Sequence, residues 1–168
     1  MTSASQPGPS IRSAVNADGP AIGRLIAGVF AEYPGCVYAP AEFPELAAVA
    51  DHYAGRGGAM WVVERAGLLI GSLAIAATYD PGVMELHKVY LSSRHRGRGV
   101  AGRLLELGEA FAREHDAHTL RLWTDTRFVQ GHRFYERQGF IRQPGVRALH
   151  DASASLEYPY AKAIGISS

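Results

Sequence analysis

The chain has 168 residues and 18.1 kDa, so at roughly 150 residues per domain it holds one domain and excludes two full catalytic domains. With 47% hydrophobic and 10% aromatic residues it can bury a real core, which excludes disorder; 17 Lys plus Arg against 16 Asp plus Glu leave a charge of +1, too balanced for a protein that lives on nucleic-acid backbones. The single cysteine, Cys36, cannot staple a fold, no run nears the ~18 apolar residues of a membrane span, and the first ten residues lack the apolar stretch of a signal peptide; these features predict a cytoplasmic domain with no membrane partner.

Residues 1–10, rich in Ser, Pro and Gly, are expected to be a loose arm, and 11–168 a single domain. A short strand is expected at 11–15. A helix follows, capped by Asn16 or Asp18, in which Ile22, Leu25, Ile26, Val29 and Phe30 recur at helical spacing. A second helix is expected at 45–54, then strands at 60–64 and 68–76 joined by a three-residue loop, and a third strand at 83–91. Val100, Leu104, Leu107 and Phe111, flanked by Ala101 and Leu105, form the apolar stripe of the next helix. A strand at 120–123 carries Trp123, read with Trp61 as a core-facing aromatic. A helix at 126–138 ends at Gly139, and two closing strands are expected at 140–142 and 154–160. The order β-α-α-β-β-β-α-β-α-β-β makes a mixed α/β fold.

Between the strand at 83–91 and the following helix stands Ser92-Ser93-Arg94-His95-Arg96-Gly97-Arg98-Gly99. A strand, a glycine-rich turn and a helix N-terminus form an anion site, because unpaired N–H groups and the helix dipole point the same way. Residues 97–102 also spell the G-x-G-x-x-G of a dinucleotide site, so the motif alone leaves the ligand open. Two features favour a ligand with a pyrophosphate and a further phosphate: the interleaved Arg94, Arg96 and Arg98, and the absence of room for further βαβ units in the 66 residues after Gly102.

Arg94-x-x-Gly97-x-Gly99 after Val89-Tyr90-Leu91, then Leu104-Leu105, then Phe134-Tyr135-Glu136-Arg137-Gln138-Gly139-Phe140, together resemble the GCN5-related N-acetyltransferase (GNAT) family. The resemblance is carried by residues 83–140, and the element order from 11 to 76 is compatible with it. It implies a GNAT fold: a central mixed, mostly antiparallel, twisted sheet of six to seven strands flanked by about four helices. It also implies acetyl-CoA as cosubstrate and direct acetyl transfer, in a ternary complex, to a primary amine of a small molecule or peptide. On matching positions, Val89, Tyr90 and Leu91 would pair with the pantetheine arm. The segment Arg96, Gly97, Arg98, Gly99, Val100, Ala101 and Gly102, with Arg94, would bind the pyrophosphate. Tyr135 falls on the family's general acid. Phe128, seven residues earlier, stands where the family often carries asparagine.

Acetyl transfer needs a neutral amine and a proton for the departing thiolate, and a phenol near pKa ~10 suits the second task. For the base, Glu85 and His87 lie two apart and share a strand face; Glu85 is preferred, with His87 as the other candidate and a substrate contact. Asp125 is read as an anchor for a cationic acceptor or as a cap for the next helix. Glu32 and Tyr33, after the first helix, are expected to line the acceptor pocket. Cys36 has no histidine or acid at a recognisable spacing and is read as a small apolar residue rather than a covalent nucleophile. His115 and His118 close a helix, so no metal site is expected. The segment 149–158 either forms a final hairpin or reaches a second subunit, which makes a homodimer one of the two expectations. The alternatives are a silent acyl-CoA sensor or partner module and a nicotinamide-dependent oxidoreductase.

Overall fold

The computed structural model describes residues 4–165. In chain order it contains β1 (Ser10–Ser13), α1 (Gly19–Phe30), α2 (Val49–Gly55), β2 (Ala59–Arg65), β3 (Leu68–Ala77), β4 (Val83–Leu91), α3 (Val100–Glu114), β5 (Thr119–Asp125), α4 (Val129–Arg137), β6 (Ile141–Arg142), β7 (Arg147–Ala148) and β8 (Leu156–Ala163). The sheet runs β1-β2-β3-β4-β5-β8-β6, with β7 also paired to β8. Every pairing is antiparallel except β4 with β5. Of the expected arm, residues 1–3 lie outside the described residues, and Ser10 already pairs with Glu64 in β1.

Two apolar clusters sit on opposite faces of this sheet. Ile22 and Ile26 of α1 and Val49 and Tyr53 of α2 pack with Val62, Ala74 and Ala76 on one face. Val100, Leu104, Leu105 and Ala112 of α3 and Tyr135 of α4 pack with Leu73, Leu86, Leu120 and Leu122 on the other. Alternating buried positions in β2 and β5 supply side chains to these layers as a pleated strand must.

Several sequence expectations are corrected by packing. The hairpin loop between β2 and β3 has two residues rather than three, because Arg65 pairs with Leu68. Ala66 (φ 51°) and Gly67 (φ 77°) both take the left-handed conformation that suits strand twist in so short a turn. The helix expected at 45–54 breaks at Ala48 (φ −151°, ψ 64°), leaving a 3-10 turn at Pro44–Ala48 before α2; Leu46 and Val49 both reach the same core cluster across that break. The buried stripe of α3 is Val100, Leu104, Leu105, Gly108 and Ala112, and Leu107 stays 37% exposed. A Cβ on Gly108 would stand 3.2 Å from Leu73, so the missing side chain lets the helix press on β3 there. Trp61 packs edge-on against Phe111, at 5.9 Å, on the α3 side. Trp123 does not face a core: it is half-buried on the opposite side of β5 from Leu120 and Leu122, under the Arg147 guanidinium at 4.2 Å.

The closing strands also shift. The expected strand 154–160 is β8, which starts at Leu156 because Asp151 captures the Ser155 N–H and hydroxyl (2.8 and 2.7 Å) and turns the chain first. The segment before it folds back on its own chain: the Val37 N–H donates to Ser153 Oγ at 2.7 Å, and the Ala152 N–H to Glu42 at 2.7 Å.

Candidate active site

The parallel register of β4 and β5 extends only from Val83 opposite Thr119 to Glu85 opposite Arg121. Beyond it the strands separate, and a cavity of about 510 Å³ opens between them. Val89, Tyr90 and Leu91 form one wall. Residues of α4, including Gly131, Phe134, Tyr135 and Gln138, form the other, and Gly99, Val100, Ala101 and Gly102 form one end. Tyr33, Thr124 and Phe128 also line it.

At that end α3 begins at Gly99 (φ 79°) with no side-chain cap, and its first helical bond is the Arg103 N–H to Gly99 O at 3.1 Å. The N–H groups of Val100, Ala101 and Gly102 therefore precede the ladder and face the cavity end with the positive pole of the helix. Gly97 (φ 77°) and Gly99 are required by backbone conformation, since a Cβ on either would meet nothing within 4 Å. A Cβ on Gly102 would have Gln138 as its nearest neighbour at 3.9 Å, so the gap between α3 and α4 is open to a phosphate-bearing ligand. The three arginines divide. Arg96 folds back, donating through Nε and Nη2 to Leu91 O (3.1 and 2.9 Å) and pairing with both oxygens of Glu32 (2.5 and 2.9 Å). Arg94 and Arg98 are exposed and make no ion pair among the described residues; neither borders the cavity.

A β-bulge positions the cavity wall. Lys88 takes φ 53°, unusual for a residue with a side chain, while the Ser72 hydroxyl donates to Lys88 O at 2.6 Å and the register shifts between Ser72 and Ala74. The extra residue inverts the alternation along β4. Met84 and Leu86 face the α3 cluster before it, as Val89 and Leu91 do after it, while Tyr90 turns to the α1 side.

Tyr135 is 7% exposed, sits among Phe134, Phe140 and Tyr160 at 5.5 to 6.1 Å, and lines the cavity; its hydroxyl makes no hydrogen bond among the described residues. Burial pushes its pKa well above the ordinary phenol value, and that of Tyr90 likewise. Both hydroxyls therefore stay protonated and act as donors at neutral pH.

Glu85 and His87 share the face that packs on α2, away from the cavity. Glu85 pairs with Arg121 (3.1 Å), and His87 Nε2 approaches its other oxygen to 3.2 Å at an angle that makes no hydrogen bond, leaving that nitrogen buried without a partner among the described residues. Burial raises the Glu85 pKa, but His87 and Arg121 more than offset this and hold the carboxyl below its usual range. Asp125 is 6% exposed and accepts from the Arg127 N–H, Nε and Nη2 (2.8, 2.9 and 2.8 Å). It closes the turn ahead of α4, which shortens the helix expected at 126–138 to Val129–Arg137. Of the expected acceptor residues, Tyr33 lines the cavity, whereas Glu32, His87 and Asp125 do not. Among the described residues no carboxylate or imidazole borders it.

Residues that sequence reasoning missed include Thr124, Gly131, Phe134 and Gln138, all lining the cavity. Gly131 and Gln138 stand four residues before and three after Tyr135, a pattern readable in α4 once its start is known. Cys36 is half-buried, and burial raises its thiol pKa, which keeps it protonated. His115 stacks on Phe111 at 4.0 Å, and among the described residues no group of three His, Cys, Asp or Glu side chains is placed to hold a metal ion. No helix among them is long and apolar enough to cross a membrane.

Comparison with known proteins matches residues 26–140 to the acetyltransferase (GNAT) family model. The chain is 33% identical over 139 residues to the uncharacterized N-acetyltransferase YjgM of Escherichia coli (strain K12), covering 79% of this chain and 81% of that one. It is 31% identical over 102 residues to the mouse protein named "Probable N-acetyltransferase family 8 member 5", covering 58% of this chain but only 45% of the relative. In fold it is similar to a GNAT acetyltransferase from Staphylococcus aureus Mu50, with a TM-score of 0.80, 16% identity, and 94% and 100% of the two chains covered. It is also similar to an acetyltransferase from Salmonella typhimurium solved with its cofactor acetyl-CoA, with a TM-score of 0.72, 17% identity, and 96% and 97% covered.

Proposed function

Since the chain belongs to the GNAT acetyltransferase family, we propose that it transfers the acetyl group of acetyl-CoA to a primary amine of a small molecule or peptide, directly and within a ternary complex. One observation carries this reading: a single cavity runs from the open amides of Val100, Ala101 and Gly102, between the separated strands β4 and β5, to the side chain of Tyr135.

In this reading those amides and the helix dipole hold the pyrophosphate, with Arg94 and Arg98 close enough in sequence to add charge. The Val89–Leu91 wall lies along the pantetheine arm. The acetyl thioester supplies an acyl carbon open to attack. The amide C–N bond forms as the C–S bond breaks; one amine proton leaves to water at the cavity mouth, and the sulfur takes a proton from Tyr135, which solvent restores. Tyr135 is protonated at neutral pH, and although burial makes it a weaker acid, the thiolate that would form in the same desolvated cavity is made more basic with it. With no carboxylate or imidazole on the cavity wall, a role for Glu85 as base requires water to bridge from the amine around β4.

The test is calorimetric titration with acetyl-CoA, followed by CoA release with a panel of amines. Micromolar binding and turnover on at least one amine are expected. Tyr135→Phe should lower kcat roughly 100-fold while retaining acetyl-CoA binding. An unchanged kcat would remove Tyr135 from proton transfer, and absence of acetyl-CoA binding by the wild type would overturn the reading.

A further inference from the structure

Aromatic rings wall part of the cavity. Tyr33 and Phe128 line it with ring centroids 4.9 Å apart, and Tyr90 lines it from β4. Phe30 stands behind all three elements, 6.0 Å from Phe128 and 6.1 Å from Tyr90. Tyr33 and Phe128 are half-buried, so their faces remain open to a ligand.

The charges around the cavity point the same way. Three of the carboxylates expected to serve the acceptor or the base are already held by arginines: Glu32 by Arg96, Asp125 by Arg127 at 2.8 Å, and Glu85 by Arg121 at 3.1 Å. The charged side chains that do line the cavity, Arg96, Arg133 and Arg137, are all cationic. Among the described residues no carboxylate lines the cavity, so a polycationic acceptor would find no counter-charge on its wall. A single ammonium on an aromatic body fits, because its charge can sit over a ring face while its own ring stacks beside Tyr33 and Phe128.

We propose that the acceptor is a neutral-bodied aromatic monoamine of the arylalkylamine class, selected by Tyr33 and Phe128. This rests on the acetyl-transfer reading above and deepens it: the same C–N bond forms and the same C–S bond breaks, with the ring pair choosing whose nitrogen is presented.

The experiment compares 2-phenylethylamine, n-butylamine, spermidine and kanamycin as acceptors in CoA release. The proposal expects kcat/KM for 2-phenylethylamine to exceed that for each of the others by about tenfold or more, a stacking contribution of about 1.4 kcal/mol. Phe128→Ala and Tyr33→Ala should each raise KM for 2-phenylethylamine roughly fivefold to tenfold with a smaller effect on kcat, and Phe128→Tyr should restore it. Spermidine or kanamycin as the better substrate would overturn the aromatic acceptor and leave acetyl transfer standing. If acetyl-CoA binds and no amine turns over, acetyl transfer fails. Calorimetry of 2-phenylethylamine against the CoA-loaded protein then decides separately: binding lost in Phe128→Ala supports the ring site, and no binding overturns it.

Discussion

Glu85 shows how a side chain of the right type can be spent on structure. Its carboxylate lies between Arg121 and His87 on the face that packs against α2, and its pKa is depressed despite burial. A folded-state pKa below the unfolded value means that the stability it contributes is present above the ordinary carboxylate range and lost as pH falls through the lowered value. Glu85→Gln should therefore lower Tm at pH 7. Because Arg121 is 37% exposed, solvent screens the pair and the loss is about 1–2 kcal/mol, or roughly 3–6 °C. The deficit should begin to shrink as the pH falls below the ordinary carboxylate range and vanish only below the lowered folded-state value. The same variant should keep kcat within about threefold. A fall of 100-fold together with loss of the acidic limb of the pH profile would identify Glu85 as the base after all.

Among the elements, the start of α3 has the most demanding geometry. Gly97 and Gly99 hold left-handed φ values and Gly102 an ordinary helical one, so the three glycines of one motif serve two different needs. Gly99→Ala places no atom in contact but forces an unfavourable backbone, at about 1–2 kcal/mol, and displaces the amides it precedes. Gly102→Ala should instead raise Tm slightly, since alanine favours the helix by about 0.5–1 kcal/mol, while its methyl intrudes on the phosphate cradle. Both variants are expected to weaken acetyl-CoA binding by about tenfold with opposite changes in Tm. A Gly102→Ala protein that binds acetyl-CoA as well as wild type would mean the phosphates lie elsewhere. The bulge at Lys88 acts at the same level: one extra residue lets β4 turn Glu85 and His87 toward α2, yet Val89 and Leu91 toward α3.

The molecule as a whole is one sheet with a core on each face, and the cavity exists because that sheet is left unzipped between β4 and β5. Since both cores are built on the same strands, neither face can lose its helices and leave the other intact. Leu104→Ala in the α3 cluster and Ile26→Ala in the α1 cluster, both residues nearly free of solvent contact, should each cost about 2–5 kcal/mol. Urea unfolding should stay a single transition, with the double variant additive to within about 0.5 kcal/mol. Two separate transitions would show that the faces unfold independently. The segment ahead of β8 adds a further tie, binding Ser153 to Val37 and Ala152 to Glu42.

Local patterns were enough to place most strands and helices, the glycine-arginine turn and Tyr135. Each of these follows from spacing within a few residues: the recurrence of Ile22, Leu25, Ile26 and Val29, the glycines at 97, 99 and 102, or the motif that leads to Gly139. Other features depend on partners that no local pattern reveals. Arg96 pairs with Glu32 across 64 positions and Ser153 binds Val37 across 116, so the fate of both a phosphate-loop arginine and an expected acceptor residue was hidden until the chain folded. Arg127 ties up the carboxylate of Asp125, and the bulge at Lys88 reverses which side of β4 faces which helix. Propensity and periodicity act through neighbours along the backbone, whereas ion pairing and strand phase are settled by whatever the folded chain brings alongside.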